Sequence, residues 1–314
     1  MKTIQNPWIK LKEYIVAEDY DLINQLQERC IEVDGTALKL ELDYKIGVRP
    51  EKNAGVQNIN EFMYFDGEQL IGYVGICSFG GPWEVNGIVD PDYRRQGVFT
   101  KLFEQVLAEW KRRDSGSMLL LSDRKSESGQ KFIAGTGAQY KHSEYEMYLK
   151  ADAPIATQDQ FSGITYRKAT NADAKEISRQ NAIYFDDEYN ENDFEETEQD
   201  NQEVIDHTEE MILPEEEEKR GMTSYLVEKD GQIIGKVNLQ LTSKLGAIFG
   251  LGVLPEHRRK GYGRALLLMA IEKLKEANAQ EIMLQVAAEN SNALNLYKSC
   301  GFVETSTMDY FELK

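Results

Sequence analysis

The pattern of apolar and polar positions predicts the same elements twice along the chain. Around residue 250 an apolar run stops at Pro255, and a second run with helical spacing begins after Gly263. The first run predicts a strand, and the second predicts an amphipathic helix of about three turns. A turn rich in glycine and cations joins them. In the first half, an apolar run from Val85 to Val89 leads through a similar turn into a predicted helix that extends to Trp110.

Pairs of shorter apolar runs precede both blocks and predict β-hairpins. Their turns are Asp66-Gly67 in the first half and Asp230-Gly231 in the second. Strands and helices alternate, so the expected fold class is α/β, with an α+β type of mixed sheet in two tandem domains. The stretch 151–163 contains Pro154 and has little hydrophobic pattern. We predict that it links a domain at 1–150 to a domain at 164–314.

Length and composition set the class of protein. The 314 residues suffice for two domains. No apolar run is long enough to cross a membrane or to serve as a signal peptide. Three widely spaced cysteines favour a reducing cytoplasm, and three histidines with no cluster of His and Cys predict no metal site. The expectation is a cytoplasmic protein without a metal.

The turn before the second helix has the features of an anion site. The first amide groups of a helix lack internal partners and lie at the positive end of its dipole. Gly261 and Gly263, with Tyr262 between them, let an anion approach this backbone closely. Such a junction would bind a phosphate group. Four cations supply the charge around it: Arg258, Arg259, Lys260 and Arg264.

Two other kinds of phosphate loop are excluded by the residues that they require. The turn has no Gly-Lys-Ser/Thr, and Gly261-Tyr-Gly-Arg-Ala-Leu lacks the third small residue of the dinucleotide fingerprint. The remaining pattern, Arg258-x-x-Gly261-x-Gly263 after a strand, resembles the acetyl-CoA pyrophosphate loop of the GCN5-related N-acetyltransferase (GNAT) family. A basic turn capped by glycines is the alternative interpretation of these residues alone.

A second motif that resembles the same family follows the next predicted strand. It reads Asn290-x-x-Ala-x-x-Leu-Tyr297-x-x-x-Gly-Phe. Asn290 can cap a short helix and hydrogen-bond an amide of the ligand. Amine attack on a thioester expels a thiolate, and Tyr297 could protonate it as general acid; the alternative is a half-buried helix tyrosine with a satisfied hydroxyl. The resemblance also implies that the backbone of Leu251 and Val253 holds the pantetheine arm.

The first half carries a copy of both motifs, so the chain resembles two GNAT modules in tandem, that is, two acyl-CoA N-acyltransferase domains. Arg94 and Gly97 each lie 164 residues before their counterparts. Phe99 replaces the second small residue of the loop, and Ile133 stands in place of Tyr297. Because Ile133 cannot donate a proton, we expect the first module to be catalytically degenerate. Its corresponding cofactor residues are Val89, Arg94, Arg95, Gln96 and Gly97.

Three roles stay open for the first module. It could bind CoA weakly, bind CoA without turnover, or serve as a scaffold. Tyr140 or Tyr145 could in principle replace the missing acid, although the sequence does not place either side chain.

The reaction also needs a general base, because an amine with a pKa near 10 is only about one part in a thousand unprotonated at neutral pH. In the first module Glu84 lies on the strand where family members often carry such a glutamate, although a strand glutamate can also face solvent. The second module has an apolar strand there. Its base is therefore expected from Asp186, Asp187 and Glu188, among which Asp187 is our candidate.

An acidic segment at 186–218 holds seventeen Asp or Glu residues and no Lys or Arg, and it accounts for nearly all of the net charge of −18. A field of that sign concentrates cations. We therefore expect a polyamine, an aminoglycoside-like molecule or a lysine-rich substrate as acceptor. A solvated acidic helix or loop is the alternative. The same acidity disfavours nucleic acid as a partner.

The predicted function is transfer of an acetyl group from acetyl-CoA, as cosubstrate, to a primary amine. Direct attack would take place in the second module, and we expect no nucleic acid or membrane partner. The alternatives are a non-catalytic acyl-CoA sensor or binding protein, and an acetyltransferase that acts on protein lysines or N-termini. The oligomeric state is left open.

Overall fold

A computed structural model of the chain describes residues 1–47, 57–78, 81–151, 163–185, 213–242 and 244–314. These residues form two compact units. Unit 1 comprises Met1–Tyr145 and Ser306–Lys314, and unit 2 comprises Glu146–Thr305. Most of the predicted linker, at 152–162, and most of the acidic segment, at 186–212, lie outside the described residues.

Each unit alternates strands and helices, which confirms the predicted α/β class. The elements of unit 1 are β1 Pro7–Lys12, α1 Ala17–Asp34, α2 Leu42–Gly47, β2 Glu61–Asp66, β3 Gln69–Cys77, β4 Trp83–Val89, α3 Val98–Arg113, β5 Met118–Asp123, α4 Glu127–Ala134 and β6 Gln139–Leu149, whose last four residues belong to unit 2. The elements of unit 2 are β7 Ile164–Lys168, α5 Ala174–Phe185, α6 Pro214–Lys219, β8 Met222–Lys229, β9 Gln232–Thr242, β10 Leu245–Val253, α7 Tyr262–Glu276, β11 Glu281–Ala287, α8 Ser291–Ser299 and β12 Phe302–Leu313, whose residues 306–313 belong to unit 1.

The central strands of each unit diverge at one end. In unit 1, β3 and β4 are paired antiparallel along their length, whereas β4 and β5 are parallel only as far as the pair Val85↔Leu120. In unit 2, β10 and β11 are likewise parallel only as far as Ile248↔Leu284. The carboxyl ends of these strands therefore separate. Each unit has a gap between two neighbouring strands in which backbone groups lack a strand partner among the described residues.

Apolar packing on both faces of the unit 1 sheet holds this arrangement. One core cluster contains Leu102 and Val106 of α3, and the other contains Ile23 and Leu26 of α1. Residues 70–77 of β3 are all buried, because this strand is covered on both faces. That burial explains why β3 is a continuous apolar run and does not alternate with polar residues.

The two units repeat one another from β4 onward. Shifting the bounds of β4, α3, β5, α4 and β6 by 164 residues reproduces those of β10, α7, β11, α8 and β12 to within two residues. Both predicted hairpins are confirmed as β2–β3 and β8–β9. Within the described ranges, no helix is both long and apolar enough to span a membrane.

The last strand is assigned differently by the repeat and by its contacts. By the repeat, β12 is the counterpart of β6 in the second half of the chain. However, residues 308–313 pair antiparallel with β5 in unit 1, from Met308↔Asp123 to Leu313↔Met118. Unit 1 thus includes the carboxyl-terminal residues of the chain.

Candidate active site

The loop between β10 and α7 is built to expose the first turn of that helix. Residues 255–257 form a 3₁₀ turn, and Arg258 then donates its Nε to the carbonyl of Val253 at 2.9 Å. Gly261 caps α7 in the left-handed region, with φ 87°. That conformation favours glycine, and it turns the chain so that the unpaired first-turn amides point out of the helix end. Arg259 also has a positive φ, of 59°.

Gly263 keeps the start of α7 free of a side chain. A Cβ added there would lie 3.5 Å from Leu296 and 3.9 Å from Val253, which is ordinary van der Waals contact. In unit 1 the same position holds Phe99, whose ring packs edge-on against Phe132 at 4.6 Å between centroids. Phe132 is the counterpart of Leu296. The bulky residue is thus accommodated by turning its ring onto α4.

Backbone groups of β10 face the gap next to this loop. The amide of Leu254 bonds to the carbonyl of Ile234 on the β9 side. Because successive residues of a regular strand point their amide and carbonyl groups to opposite sides, those of Val253 face away from β9. Leu251 lies within a bulge between Phe249 and Gly252, where this alternation is interrupted. The pairing of β10 therefore directs the backbone of Val253 towards the gap.

The helix α8 presents the second predicted motif. Asn290 caps it by accepting a hydrogen bond from the amide of Ala293 at 3.1 Å. Tyr297 is buried, and burial raises the pKa of its phenol to about 12. Its hydroxyl has no hydrogen-bond partner among the residues that the structure describes. The phenol is therefore protonated at neutral pH and available as a donor.

The predicted cations of unit 2 differ in the partners that their side chains contact. The terminal nitrogens of Arg258 make no ion pair with any described residue, so its charge is available near the loop. Lys260 donates its Nζ to the carbonyl of Glu256 at 2.8 Å, and the hydroxyl of Tyr262 accepts from Lys229 at 2.7 Å. The side chain of Arg264 is directed away from the loop.

Arg264 is directed at the carboxyl end of α8. Its guanidinium donates to Ser299 Oγ at 2.5 Å and to Cys300 Sγ at 3.4 Å. The structure thus places this side chain against the second motif and away from the first-turn amides. Cys300 itself is buried, in keeping with a packing role.

The loop of unit 1 has the same backbone but a neutralised arginine. Arg95 and Gly97 have positive φ values of 61° and 79°. Arg94 donates its Nε to the carbonyl of Val89 at 3.0 Å, and its terminal nitrogens donate to both carboxylate oxygens of Asp34 at 2.7 and 2.6 Å. The side chain of Gln96 donates to the carbonyl of Lys2 at 2.7 Å.

A cavity of about 480 Å³ fills the gap of unit 1. Arg94, Gly97 and Phe99 line it on the side of the loop, and Lys39 and Asn86 line it further along β4. Ile133, the counterpart of Tyr297, also lines the cavity. Unit 1 therefore has a formed cavity next to the predicted anion loop, without the phenol.

The three catalytic candidates from the sequence are not brought together. Tyr297 lies on α8 of unit 2, and Glu84 lies on β4 of unit 1. Glu84 is partly buried, and its carboxylate lies 3.5 Å from the ammonium of Lys39. Asp187 lies outside the described residues, as do Asp186 and Glu188. None of the described residues forms a cluster of three or more His, Cys, Asp or Glu side chains that could hold a metal ion.

A buried lysine on β9 of unit 2 was missed by the sequence analysis. Lys236 is 1% exposed, and burial lowers its pKa from 10.5 to about 8. It pairs with Gly252, and its Nζ lies 3.5 Å from the carbonyl of Gly250. Glu217 on α6 opposes part of this shift. A lysine inside the apolar run of β9 was the signal that could have revealed it.

Comparison with known proteins identifies the family. The acetyltransferase (GNAT) family profile matches residues 22–128 and 184–302, which together exceed half of the chain. The chain belongs to this family of acyltransferases, whose members use acetyl-CoA as cosubstrate, and it carries the family fold twice.

Individual relatives differ in how much of the chain they cover. A mycothiol acetyltransferase from Thermobispora bispora is 24% identical over 302 residues, 90% of this chain and 92% of that protein. An N-alpha-acetyltransferase from Sulfurisphaera tokodaii is 33% identical over 100 residues, 28% of this chain and 60% of that protein. The solved structure of a tandem GNAT protein from the clavulanic acid biosynthesis pathway has a TM-score of 0.67 at 14% identity and covers 98% of both chains.

Proposed function

We propose that the protein transfers the acetyl group of acetyl-CoA to the primary amine of a small molecule, and that unit 2 carries out the transfer. The buried phenol of Tyr297 carries this assignment, because unit 1 has Ile133 at the same position of the repeat. The loop supports it, since unit 2 keeps Gly263 where unit 1 has Phe99.

The residues of unit 2 suit a CoA ligand. The first-turn amides of α7 and the charge of Arg258 would bind its pyrophosphate. The backbone of Leu251 and Val253 would pair with the pantetheine arm. When bound, acetyl-CoA supplies the activated acetyl group as a thioester. Gly261 and Gly263 let the ligand reach the backbone without a steric obstacle.

Tyr297 would act as the general acid. A phenol with a pKa of about 12 keeps its proton through the neutral range. Proton donation by Tyr297 would stabilise the thiolate that leaves when the amine attacks. The proton of the incoming ammonium would be taken up by a carboxylate of the acidic segment, with Asp187 as candidate.

The acceptor is proposed to be a cationic amine, because the acidic segment follows α5. The charge in this segment is large enough to attract cations over a distance of about 10 Å. The names of two relatives, a mycothiol acetyltransferase and an N-alpha-acetyltransferase, make a small-molecule amine and a peptide N-terminus the two classes to compare. The order of two modules in one chain is also similar to that of mycothiol synthase.

Neutralising Asp186, Asp187 and Glu188 together tests the charge proposal. The KM for a cationic amine should rise more at low salt than at high salt, because salt screens the field. An equal rise at both salt concentrations would show that the effect is one of shape.

Replacing Tyr297 with Phe tests the acid. Turnover should fall by about 100-fold, the usual contribution of a general acid, while the Kd for acetyl-CoA stays the same. Tyr166→Phe is the matched control, because burial also raises the pKa of that phenol to about 12 and it lies on β7. Unchanged turnover in Tyr297→Phe would remove Tyr297 from this role, and acetyl-CoA binding without turnover on any amine would favour the sensor alternative.

A further inference from the structure

A lysine that lines the cavity of unit 1 belongs to a cluster of charged side chains that the proposed function does not use. Lys39, between α1 and α2, lines the cavity. Its Nζ lies 3.5 Å from a carboxylate oxygen of Glu84 and 3.4 Å from one of Glu144, and it donates to the hydroxyl of Tyr310 at 2.6 Å. Tyr310 in turn donates to Glu144. Lys39 lines the cavity, whereas the two glutamates that it contacts do not.

The position of this cluster relates it to the anion loop. Glu84 lies next to Val85, the last residue of β4 that pairs with β5. The loop follows Val89, and five residues of strand span about 17 Å. A ligand that rests its phosphates on the loop and extends along β4 therefore points its far end towards Lys39.

The cluster has the chemistry of a primary-ammonium site. An ammonium group has three donors, and Glu84, Glu144 and Tyr310 provide three acceptors. The ring of Tyr310 lies 5.2 Å from the Nζ of Lys39, within reach of a cation–π interaction. Burial alone would lower the pKa of Lys39, but Tyr310, Glu144 and Glu84 raise it above its ordinary value. The amine of Lys39 is therefore held charged and is not a nucleophile.

We propose that Glu84, Glu144 and Tyr310 form an acceptor subsite for a primary alkylammonium in unit 1, and that Lys39 occupies this subsite in the wild-type chain. The transfer step of this proposal takes unit 1 to bind acetyl-CoA, which is one of the three roles that the sequence leaves open for it. It gives a physical reason for binding without turnover, since the base candidate Glu84 is already paired with a tethered ammonium. A free alkylammonium could enter only when the side chain of Lys39 is absent.

With the subsite open, the transfer step balances without another reactant. Glu84 takes one proton from the bound ammonium, and the resulting amine nitrogen attacks the acetyl carbonyl carbon. The carbon–nitrogen bond forms, the carbon–sulfur bond breaks, and the thiolate leaves with the electron pair. The nitrogen loses its second proton to solvent, and the thiolate takes a proton from solvent because Ile133 cannot supply one.

The test uses n-butylammonium, which matches the four-carbon side chain of lysine, on the full chain carrying Tyr297→Phe, which lowers the activity of unit 2. By calorimetry, Lys39→Ala should bind n-butylammonium at least about 10-fold more tightly than the parent, and adding Glu144→Gln should abolish the gain. With acetyl-CoA, Lys39→Ala should form N-butylacetamide at least about 10-fold faster than the parent, and adding Glu84→Gln should remove this activity. Binding no tighter than in the parent would overturn the subsite, and binding without transfer would overturn its acceptor role.

Two controls separate the subsite from general effects. Lys39→Arg keeps a cation in place and should not open the subsite. Lys45→Ala removes another buried lysine, which lies 3.0 Å from Glu61 and does not line this cavity, and should not produce transfer. Mass spectrometry of the wild type after incubation with acetyl-CoA should find Lys39 unmodified. Acetylation of Lys39 would overturn the proposal by making it a substrate.

A further variant separates failure of this proposal from failure of the proposed function. Adding Gly97→Glu to Lys39→Ala should stop transfer but leave n-butylammonium binding intact. The two measurements together thus distinguish a loss of acetyl-CoA binding in unit 1 from a loss of the ammonium subsite. If Lys39→Ala does not fold alone, refolding with n-butylammonium but not with 1-butanol would support the subsite, and equal effects of the two would overturn it.

Discussion

The loops of the two units have the same backbone but different side chains around it. Arg95 and Arg259 have φ values of 61° and 59°, and Gly97 and Gly261 have values of 79° and 87°. In each loop an arginine Nε donates to the last residue of the preceding strand. The comparison teaches that glycines and an arginine bonded to a main-chain carbonyl preserve the same loop backbone, even where the neighbouring side chains have been exchanged.

The exchanged residues are complementary. Unit 1 keeps a glutamate on its central strand, Glu84, and has Ile133 where an acid is needed. Unit 2 keeps the phenol of Tyr297 and has the buried Ile248 at the position of Glu84. Each unit thus retains one of the two proton-transfer groups that the resemblance to the family implies. The ion pair of Lys39 with Glu84 adds a second difference, because it engages the residue that the sequence predicts as base candidate in unit 1.

The largest expected effect is on acetyl-CoA binding, and it distinguishes the loop of unit 2 from that of unit 1. Gly261→Glu should lower the affinity of unit 2 for acetyl-CoA by at least about 100-fold, because a side chain is strained at φ 87° and its carboxylate repels the pyrophosphate. Calorimetry of wild type, Gly261→Glu and Gly97→Glu counts the sites in each unit. Gly231→Glu is the matched control, with φ 79° at a hairpin turn. An equal loss in Gly231→Glu would mean that strain alone is responsible.

A second prediction concerns Lys236, which pairs with Gly252 in unit 2. The corresponding pair in unit 1 is Tyr73 with Ile88. The folded pKa of Lys236, about 8, lies below its ordinary value of 10.5. Between about pH 8 and pH 10.5 the unfolded chain therefore keeps a proton that the folded chain has lost. For this reason the stability of the wild type rises with pH through this window. Each pKa unit corresponds to about 1.4 kcal/mol.

Lys236→Met should accordingly raise the free energy of unfolding by about 3 kcal/mol at pH 7, and by much less near pH 10. Denaturant unfolding at several pH values measures the difference. Lys236→Arg retains a charge at every pH and should be less stable than wild type throughout. A gain that does not change with pH would show that Lys236 does not titrate in this window.

The smallest expected effect concerns the neutralised arginine of unit 1. Asp34→Asn should release the charge of Arg94 and tighten acetyl-CoA binding in unit 1 by about two- to five-fold at low salt, with little change at 0.5 M salt. The measurement is made in the Gly261→Glu background, which leaves unit 1 as the binding unit. Asp43→Asn removes the same charge from α2 and is the control. Equal effects of both would point to net charge and not to Arg94.

The sequence predicted the elements that depend on local pattern and repeat. The glycines, the strand–loop–helix order and the 164-residue offset were sufficient to identify two copies of one fold, and the structure confirms this. The partners of charged side chains could not be predicted in this way. Lys39 contacts Glu84, Glu144 and Tyr310, which lie up to 271 residues from it and carry no local pattern that pairs them with it.

The direction in which a long side chain points could not be predicted from the sequence either. Arg264 sits inside the predicted loop motif, yet it reaches Ser299 because α8 packs within its range. Asp34 could not be linked to Arg94 either, since α1 ends far from the loop along the sequence. Spacing predicts backbone position, whereas the end of a flexible side chain depends on which elements are packed nearby.

Residues 306–313 of β12 bear on how the protein is made. They pair with β5 of unit 1, and Asp309 accepts hydrogen bonds from Arg124 and Ser143. These residues follow all of unit 2 in the chain, although the rest of unit 1 precedes unit 2. The edge of β5 that pairs with them therefore lacks this partner until unit 2 has been synthesised. Unit 1 is thus begun before unit 2 and completed after it.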